Sequence, residues 1–362
     1  MGEFGWELVW WHAWLRKIKK EIYPNSYFIV SSFPGREPLY EFADEFISLP
    51  KFYLDNNFSE RDYFVDWELF DLKKQKEIFS QMKDLINYFD KRFKDQEVLR
   101  INNYPQKINT RKMYYRFQNK INIFFEKMNK KKSINFYNYI SSFNNNPGKK
   151  IQDPLLLNPV DREIKDLYNP QKPNISDQSW VNLKPTAKGI DKRNQILYSY
   201  DITNKPIFIL FPRRRVIRRN DKNWTEENWR SFIKLLIEKY NALIIVTGTP
   251  EGAFFSSEKN TPNLINIINE KKDDILNLQL AFLDIAKMAI HGRSGSCNLS
   301  LQHGCPTFMA GPEKDREVIC KTENPLNSKI FYYTEYGVNP KPEKLFEVFE
   351  SYYDKICKNK SI

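Results

Sequence analysis

Near the start of the chain Leu8, Trp11, Leu15 and Ile18 fall at helical spacing on one face. Residues 27–31 then read as a strand, 37–45 as a helix and 46–49 as a second strand, the opening of an α/β unit. The first helix follows a glycine turn, Gly2 to Gly5, which in such a unit ordinarily follows a strand. Only Met1 precedes it here, so the first strand is expected to be missing or supplied by another segment. From 64 to 139 the pattern is helical, with Phe70, Phe79, Tyr88, Phe89, Phe93, Tyr114, Phe117, Phe124 and Phe125 interleaved with Lys and Asp. Aromatics at that spacing form core; the same interleaving also suits stacking on single-stranded nucleic acid. Residues 143–148 break the pattern, and 154–185 hold five prolines, which suits a linker or a cover across an interdomain cleft.

The second half alternates more regularly. Residues 205–211 are an uninterrupted apolar run, a buried-type strand, with Pro212, Arg213, Arg214 and Arg215 in the loop at its carboxyl end. An amphipathic helix follows over 224–240, capped by Thr225 with Glu226 and Glu227 in its first turn. Strands are expected at 243–246 and 263–268 and a helix at 278–287. An apolar run at 288–290 breaks into Gly292, Arg293, Ser294, Gly295 and Ser296. A helix then spans 297–303, stopped by Gly304, before a strand at 306–310 and a last helix at 342–356. Strands alternating with helices give a parallel sheet, whose ligand lies at the strands' carboxyl ends.

A chain of 362 residues exceeds one ordinary core, so two domains are expected. The boundaries fall at 1–200, containing the helical segment 64–140 and the Pro-rich segment 147–185; at 201–340; and at 341–362 for the last helix. The hydrophobic fraction of 41% excludes a disordered chain, and the formal net charge of +12 favours an anionic partner. Cys297, Cys305, Cys320 and Cys357 show no CxxC spacing and read as free thiols of a reducing compartment. No apolar run approaches the ~20 residues of a membrane span, and the N-terminus has its charges in the reverse order of a secretory signal. A cytoplasmic location is therefore expected, with contact at the inner face of a membrane compatible with the charge.

Three loops fall on one edge of the expected sheet. The arginine loop, with Arg213, Arg215 and the following Lys222, offers donors for phosphate. Thr247, Gly248 and Glu251 offer close backbone approach and a carboxylate for a ribose or sugar hydroxyl. Ser294, Gly295, Ser296 and Asn298 open a helix whose N–H groups suit a diphosphate. Each signal has a plainer reading beside it: Ser294 as a helix cap, and the arginine run, including Arg218 and Arg219, as a nucleic-acid patch.

Taken together, the PRRR loop, NWTEENW, TGTPEG and GRSGSCNLSLQHGCPTFMAGP resemble the C-terminal, donor-binding domain of GT-B glycosyltransferases, most of all the heptosyltransferase-like group. The opening GEFGWEL resembles the glycine turn of the acceptor domain in such enzymes. Residues 205–312 carry the likeness well and 1–50 moderately; 60–200 match no known pattern. Two departures stand out: Arg293 replaces the family's Asp before the small-Gly-small turn, and the histidine of its following helix has no equivalent, His303 lying near the helix end.

The resemblance implies an α/β fold of two Rossmann-like domains facing across a cleft, with an aromatic-rich helical insertion in the N-terminal half. It implies an inverting glycosyltransferase that moves a sugar from a nucleotide-activated donor to a cell-surface polysaccharide or glycolipid. The nucleotide sugar is a substrate; no cofactor is expected. No metal is expected either, since the sequence lacks Asp-x-Asp and the leaving-group charge falls to Arg213, Arg215, Lys222 and the serine turn. By position Glu3 is the general base, with Glu7 one helical turn along as the alternative; Glu3 reads equally as a helix-dipole residue. Three other readings stay open: a GDP-sugar fucosyltransferase-like enzyme, a basic nucleic-acid-binding protein, and an inactive GT-B scaffold. The preferred reading includes no nucleic-acid partner.

Overall fold

A computed structural model describes residues 7–8, 12–21, 23–54, 80–81, 84–85, 87–94, 180–214, 222–250, 252–335, 337 and 339–358. The chain divides into two compact units, one of Met1–Phe4 with Pro50–Lys172 and one of Gly5–Leu49 with Pro173–Ile362. This grouping differs from the expected 1–200, 201–340 and 341–362. Residues 5–49 belong with the C-terminal half, and the last helix is part of the main core.

In the first unit the short helix Lys51–Leu54 presents Phe52 edge-on to Tyr88, with ring centroids 5.8 Å apart, and Phe89 stacks on Phe93. Most of the aromatic-rich segment lies outside the described residues.

The second unit opens with α1 (His12–Glu21), which buries Leu15 and Ile18 as the helical spacing requires; Leu8 just ahead of it is buried too. Strands β1 (Ile29–Ser32) and β2 (Glu45–Ser48) pair in parallel. The helix expected over 37–45 is instead a single 3-10 turn, Glu37–Leu39. Pro38 sits in its first turn, and Asp44 Oδ2 accepts from Phe28 N at 2.7 Å and from Lys19 Nζ at 2.8 Å, so the chain is drawn into β2. Among the described residues these two strands are the whole N-terminal sheet.

Taking Lys51–Leu54 as α2, the remaining elements are α3 (Ala187–Leu197), β3 (Ile207–Phe211), α4 (Glu226–Tyr240), β4 (Leu243–Val246), β5 (Leu264–Asn266), α5 (Lys272–Leu283), β6 (Met288–His291), α6 (Cys297–His303), β7 (Thr307–Ala310), α7 (Glu313–Glu317), β8 (Ile330–Tyr333) and α8 (Pro342–Lys358). All six C-terminal strands are parallel, in the order β5-β4-β3-β6-β7-β8. This is the doubly wound order in which the chain builds outward from β3, then returns to β3's other side.

Both faces of that sheet are covered, which is why β3 and β4 are apolar throughout instead of alternating. Phe208, Leu210, Ile244, Val246, Ile290 and Phe308 meet Trp229, Phe232 and Leu236 of α4 and Phe346, Phe349 and Tyr353 of α8. Each fully buried ring among them contributes about 1.5–3 kcal/mol. On the other side Met309 and Tyr332 meet Cys297 and Leu301 of α6, while α3 packs on α5. The Thr225 cap forms as expected, its hydroxyl accepting from Asn228 N at 3.2 Å. The helix expected at 278–287 lies earlier: Asp273 and Asp274 occupy the first turn of α5, favoured by the helix dipole, and Lys287 N is already bonded to Ile207 O in the sheet.

Candidate functional site at the sheet's switch point

Strand order reverses between β3 and β6, the place in an α/β sheet where the loops leaving the carboxyl ends diverge and a ligand crevice is expected. Two loops shape the β3 side by zipping together. Arg213 bridges Ala253 in antiparallel fashion, Arg214 N donates to Gly252 O at 2.8 Å, and Phe254 N donates to Pro212 O at 2.8 Å. Arg213 is thereby turned inward and buried, with Nη1 donating to Asn223 Oδ1 at 2.6 Å. Gly292 lies directly against it: a Cβ on that glycine would stand 3.0 Å from Arg213 Cβ. The glycine is a matter of room, since its φ is not positive.

Beyond Gly292 the N–H groups of Arg293, Ser294 and Gly295 make no hydrogen bond to any described residue. From Cys297 onward the helix bonds begin, with Cys297 N to Ser294 O at 3.4 Å and Asn298 N to Gly295 O at 3.2 Å. Three successive N–H groups without a partner among the described residues suit an anion. Trp229 lines the same narrow cleft as Lys222, Gly292 and Arg293, and its buried Nε1 has no acceptor among the described residues.

Behind the turn, His291 ends β6 stacked on Phe211, ring centroids 4.1 Å apart. Burial pushes its pKa down to about 3, so the ring is neutral. Nε2 lies 2.9 Å from Ser300 Oγ and Nδ1 lies 3.3 Å from Ser296 Oγ. Ser300 has one proton and two other oxygens to give it to, Cys297 O at 2.9 Å and Thr307 Oγ1 at 2.8 Å. It therefore accepts from His291 Nε2–H, which leaves Nδ1 to accept from Ser296. Ser296 Oγ in turn lies 2.5 Å from Ser294 Oγ, so the turn's hydroxyls are tied to each other and to the strand end, and the donors left over are backbone N–H groups.

No protein-family model and no curated protein sequence matches the chain. In fold it is similar to solved glycosyltransferases. A glycosyl transferase family 9 protein from Veillonella parvula is 11% identical over 49% of this chain and 54% of its own, with a TM-score of 0.37. E. coli heptosyltransferase WaaC with ADP is 13% identical over 44% and 48%, with a TM-score of 0.29. E. coli ADP-heptose LPS heptosyltransferase II is 12% identical over 98% and 96%, with a TM-score of 0.48. The match spans about half the length of the first two. The chemistry of the site rests on this chain's own residues.

Of the residues expected at the site, Arg213, Lys222, Ser294, Gly295 and Ser296 gather at the ends of β3 and β6. Asn298 is buried in the first turn of α6, its Oδ1 3.9 Å from Cys297 Sγ. Thr247 is buried and accepts from Gln279 Nε2 at 3.0 Å, so its hydroxyl serves the sheet-to-α5 packing. Gly248, at φ 146°, is fixed by its conformation and by Ala253, whose Cβ would stand 2.6 Å from an added one. The Thr247 hydroxyl is thus taken up by packing, while Gly248 answers to backbone conformation and space. Glu7 is likewise not an available base: it is buried, ion-paired with Arg36, and accepts from Ser32 Oγ and Tyr40 Oη. Glu3, Arg215 and Glu251 lie outside the described residues. The sequence reading missed His291 and Asp315. His291 carried a signal, a polar residue closing an apolar strand run; Asp315 carried none.

No helix among the described residues is long and apolar enough to cross a membrane. Among the same residues no cluster of His, Cys, Asp or Glu has metal-ligand geometry.

Proposed function

We propose that this chain is an inverting, metal-independent glycosyltransferase that holds a nucleotide-activated sugar at the β3/β6 crevice and passes the sugar to a cell-surface polysaccharide or glycolipid. The observation that carries the reading is the run of N–H groups from Arg293 to Gly295 that have no partner among the described residues, beside Gly292 and the buried Arg213. Such a site fits the diphosphate of a nucleotide sugar, with Ser294, Gly295 and Ser296 as its cradle. Arg213 and Lys222 supply positive charge against the leaving group, the role a divalent ion plays elsewhere. In the transfer, an acceptor hydroxyl oxygen bonds to the anomeric carbon as the bond from that carbon to the diphosphate oxygen breaks. The hydroxyl proton passes to a carboxylate, for which Glu3 remains the candidate. The diphosphate departs with its electron pair into the cationic crevice. The resemblance of the sequence to GT-B enzymes supports sugar transfer over other uses of a nucleotide.

A thermal-shift panel of UDP-, GDP-, ADP- and CMP-sugars tests the reading. One of them at 100 times its Kd stabilises the protein by about 2.7 kcal/mol. Gly295 is exposed and its φ is not positive, so Gly295→Val leaves the backbone relaxed while placing a side chain where the phosphate must approach. The expected result is loss of the ligand-induced shift with an unaltered melting point of the free protein. Undiminished binding in that variant removes the proposal.

A further inference from the structure

Arg293 stands where the resembled family has an acidic residue, and its charge is held by a built arrangement. A side chain at Gly311 would collide with the Tyr332 hydroxyl and come within 3.5 Å of Arg293 Cδ, so the glycine leaves the arginine its place. Pro312 O accepts from Tyr332 Oη at 3.2 Å and from Asp315 N at 3.0 Å, which pins the first turn of α7 to the end of β7. The Asp315 carboxylate thereby reaches back over the sheet edge. Its Oδ2 accepts from Arg293 Nε at 2.8 Å and from Lys222 Nζ at 3.1 Å. Burial raises the Asp315 pKa, but the bonds from Arg293 and Lys222 outweigh it and hold the carboxyl below its usual range.

Two sites for the carboxylate on a guanidinium are possible, and they have opposite consequences. A carboxylate acting as an internal stand-in for the ligand would take the Nη fork in bidentate fashion. Asp315 takes only Nε. The Nη1 and Nη2 donors of Arg293 make no hydrogen bond to a described residue, and Lys222 keeps two of its three ammonium protons. The three side chains are similarly exposed, at 17–21%, so water and a small anion reach the cluster, and the donors Asp315 does not use are left over for a ligand.

We infer that Asp315 is a positioning residue that fixes Arg293 and Lys222 as a two-cation clamp for a phosphate-type anion at the carboxyl ends of β6 and β7. The inference rests on the reading of the crevice as a diphosphate site and adds a residue and a clamp to it. It has an unusual sign: removing a negative charge from the neighbourhood of an anion site weakens anion binding.

Calorimetric titration of the full chain with inorganic pyrophosphate at fixed low salt tests it. Asp315→Asn is expected to weaken pyrophosphate about tenfold, and Asp315→Glu to restore most of the loss. Arg293→Lys, which lacks a separate Nε and fork, is expected to weaken it by a similar factor and serves if the Asn variant fails to fold. Unchanged or tighter binding in Asp315→Asn overturns the clamp, as does binding by Arg293→Lys equal to that of the natural chain. If the natural chain binds pyrophosphate but no nucleotide sugar, the proposed function fails while the variant comparison still decides the clamp. If it binds neither, both fall.

Discussion

Two carboxylate clusters in this chain are made from similar parts and end in opposite states. Glu7, 2% exposed, is ion-paired with Arg36, which also lies over the Phe33 ring at 4.7 Å, and accepts from Ser32 and Tyr40; burial keeps the Tyr40 phenol protonated and donating. Asp315 binds its two cations through one oxygen at the sheet edge, and their remaining donors have no partner among the described residues. In the first cluster the charges neutralise one another out of water, sealed from any ligand by burial. In the second, a single negative charge orders two positive ones, and a net positive charge faces the crevice. The difference teaches that a carboxylate beside cations is a structural joint or a site according to which donors it leaves over.

The largest effect is expected at the closed cluster. Glu7→Ala strands a buried guanidinium and should cost about 3–5 kcal/mol in urea unfolding, with weakened or failed folding at 37 °C. A loss under about 1 kcal/mol shows that the cluster is not closed, and Glu7 returns as a candidate base.

Protons sharpen the contrast, because His12 and His291 are sealed while the clamp is not. Burial pushes both rings down to a pKa of about 3, against about 6.5 unfolded, so the unfolded chain takes up these two protons first as pH falls. Their stabilising contribution is complete above about pH 6.5 and is lost progressively toward pH 3. Between pH 7.5 and 5.5 the pair should cost about 2–3 kcal/mol of unfolding free energy. His303, also held low by burial, adds in the same direction. A His12→Gln variant should shed about half of the pair's slope; an unaltered slope shows that His12 is not the group titrating.

The smallest stability effect belongs to the open cluster. Asp315→Asn should change unfolding free energy by only about 0–1 kcal/mol, since partly exposed pairs are screened by water. A change of several kcal/mol would make Asp315 a joint of the same kind as Glu7, and the distinction between the clusters would fail.

Much of the main sheet was legible because burial on both faces writes itself as unbroken apolar runs, as in the strands Ile207–Phe211 and Leu243–Val246. The Thr225 cap and the Gly304 stop, at φ 89°, are local chemistry and were legible too. What the sequence hid was the meaning of charged residues. Glu7 read as a base beside a glycine turn because its hydroxyl partners, Ser32 and Tyr40, stand 25 and 33 residues away. Asp315 lay inside a run of five charged residues, with nothing local to separate it from its neighbours. Thr247 and Gly248 sat at the right strand end, but what they touch, Gln279 and Ala253, is set by packing that no spacing rule contains.

One joint has a consequence in time. Gln302 on α6 donates to Leu8 O at 2.7 Å and accepts at 2.9 Å the ring bond of His12, a residue 290 positions earlier. During synthesis at roughly 5–20 residues per second, α1 waits on the order of 15–60 s before the partner of its buried imidazole exists. For that interval the apolar stripe of α1 lacks its native cover, and the beginning of the chain matures only with nearly its last fifth.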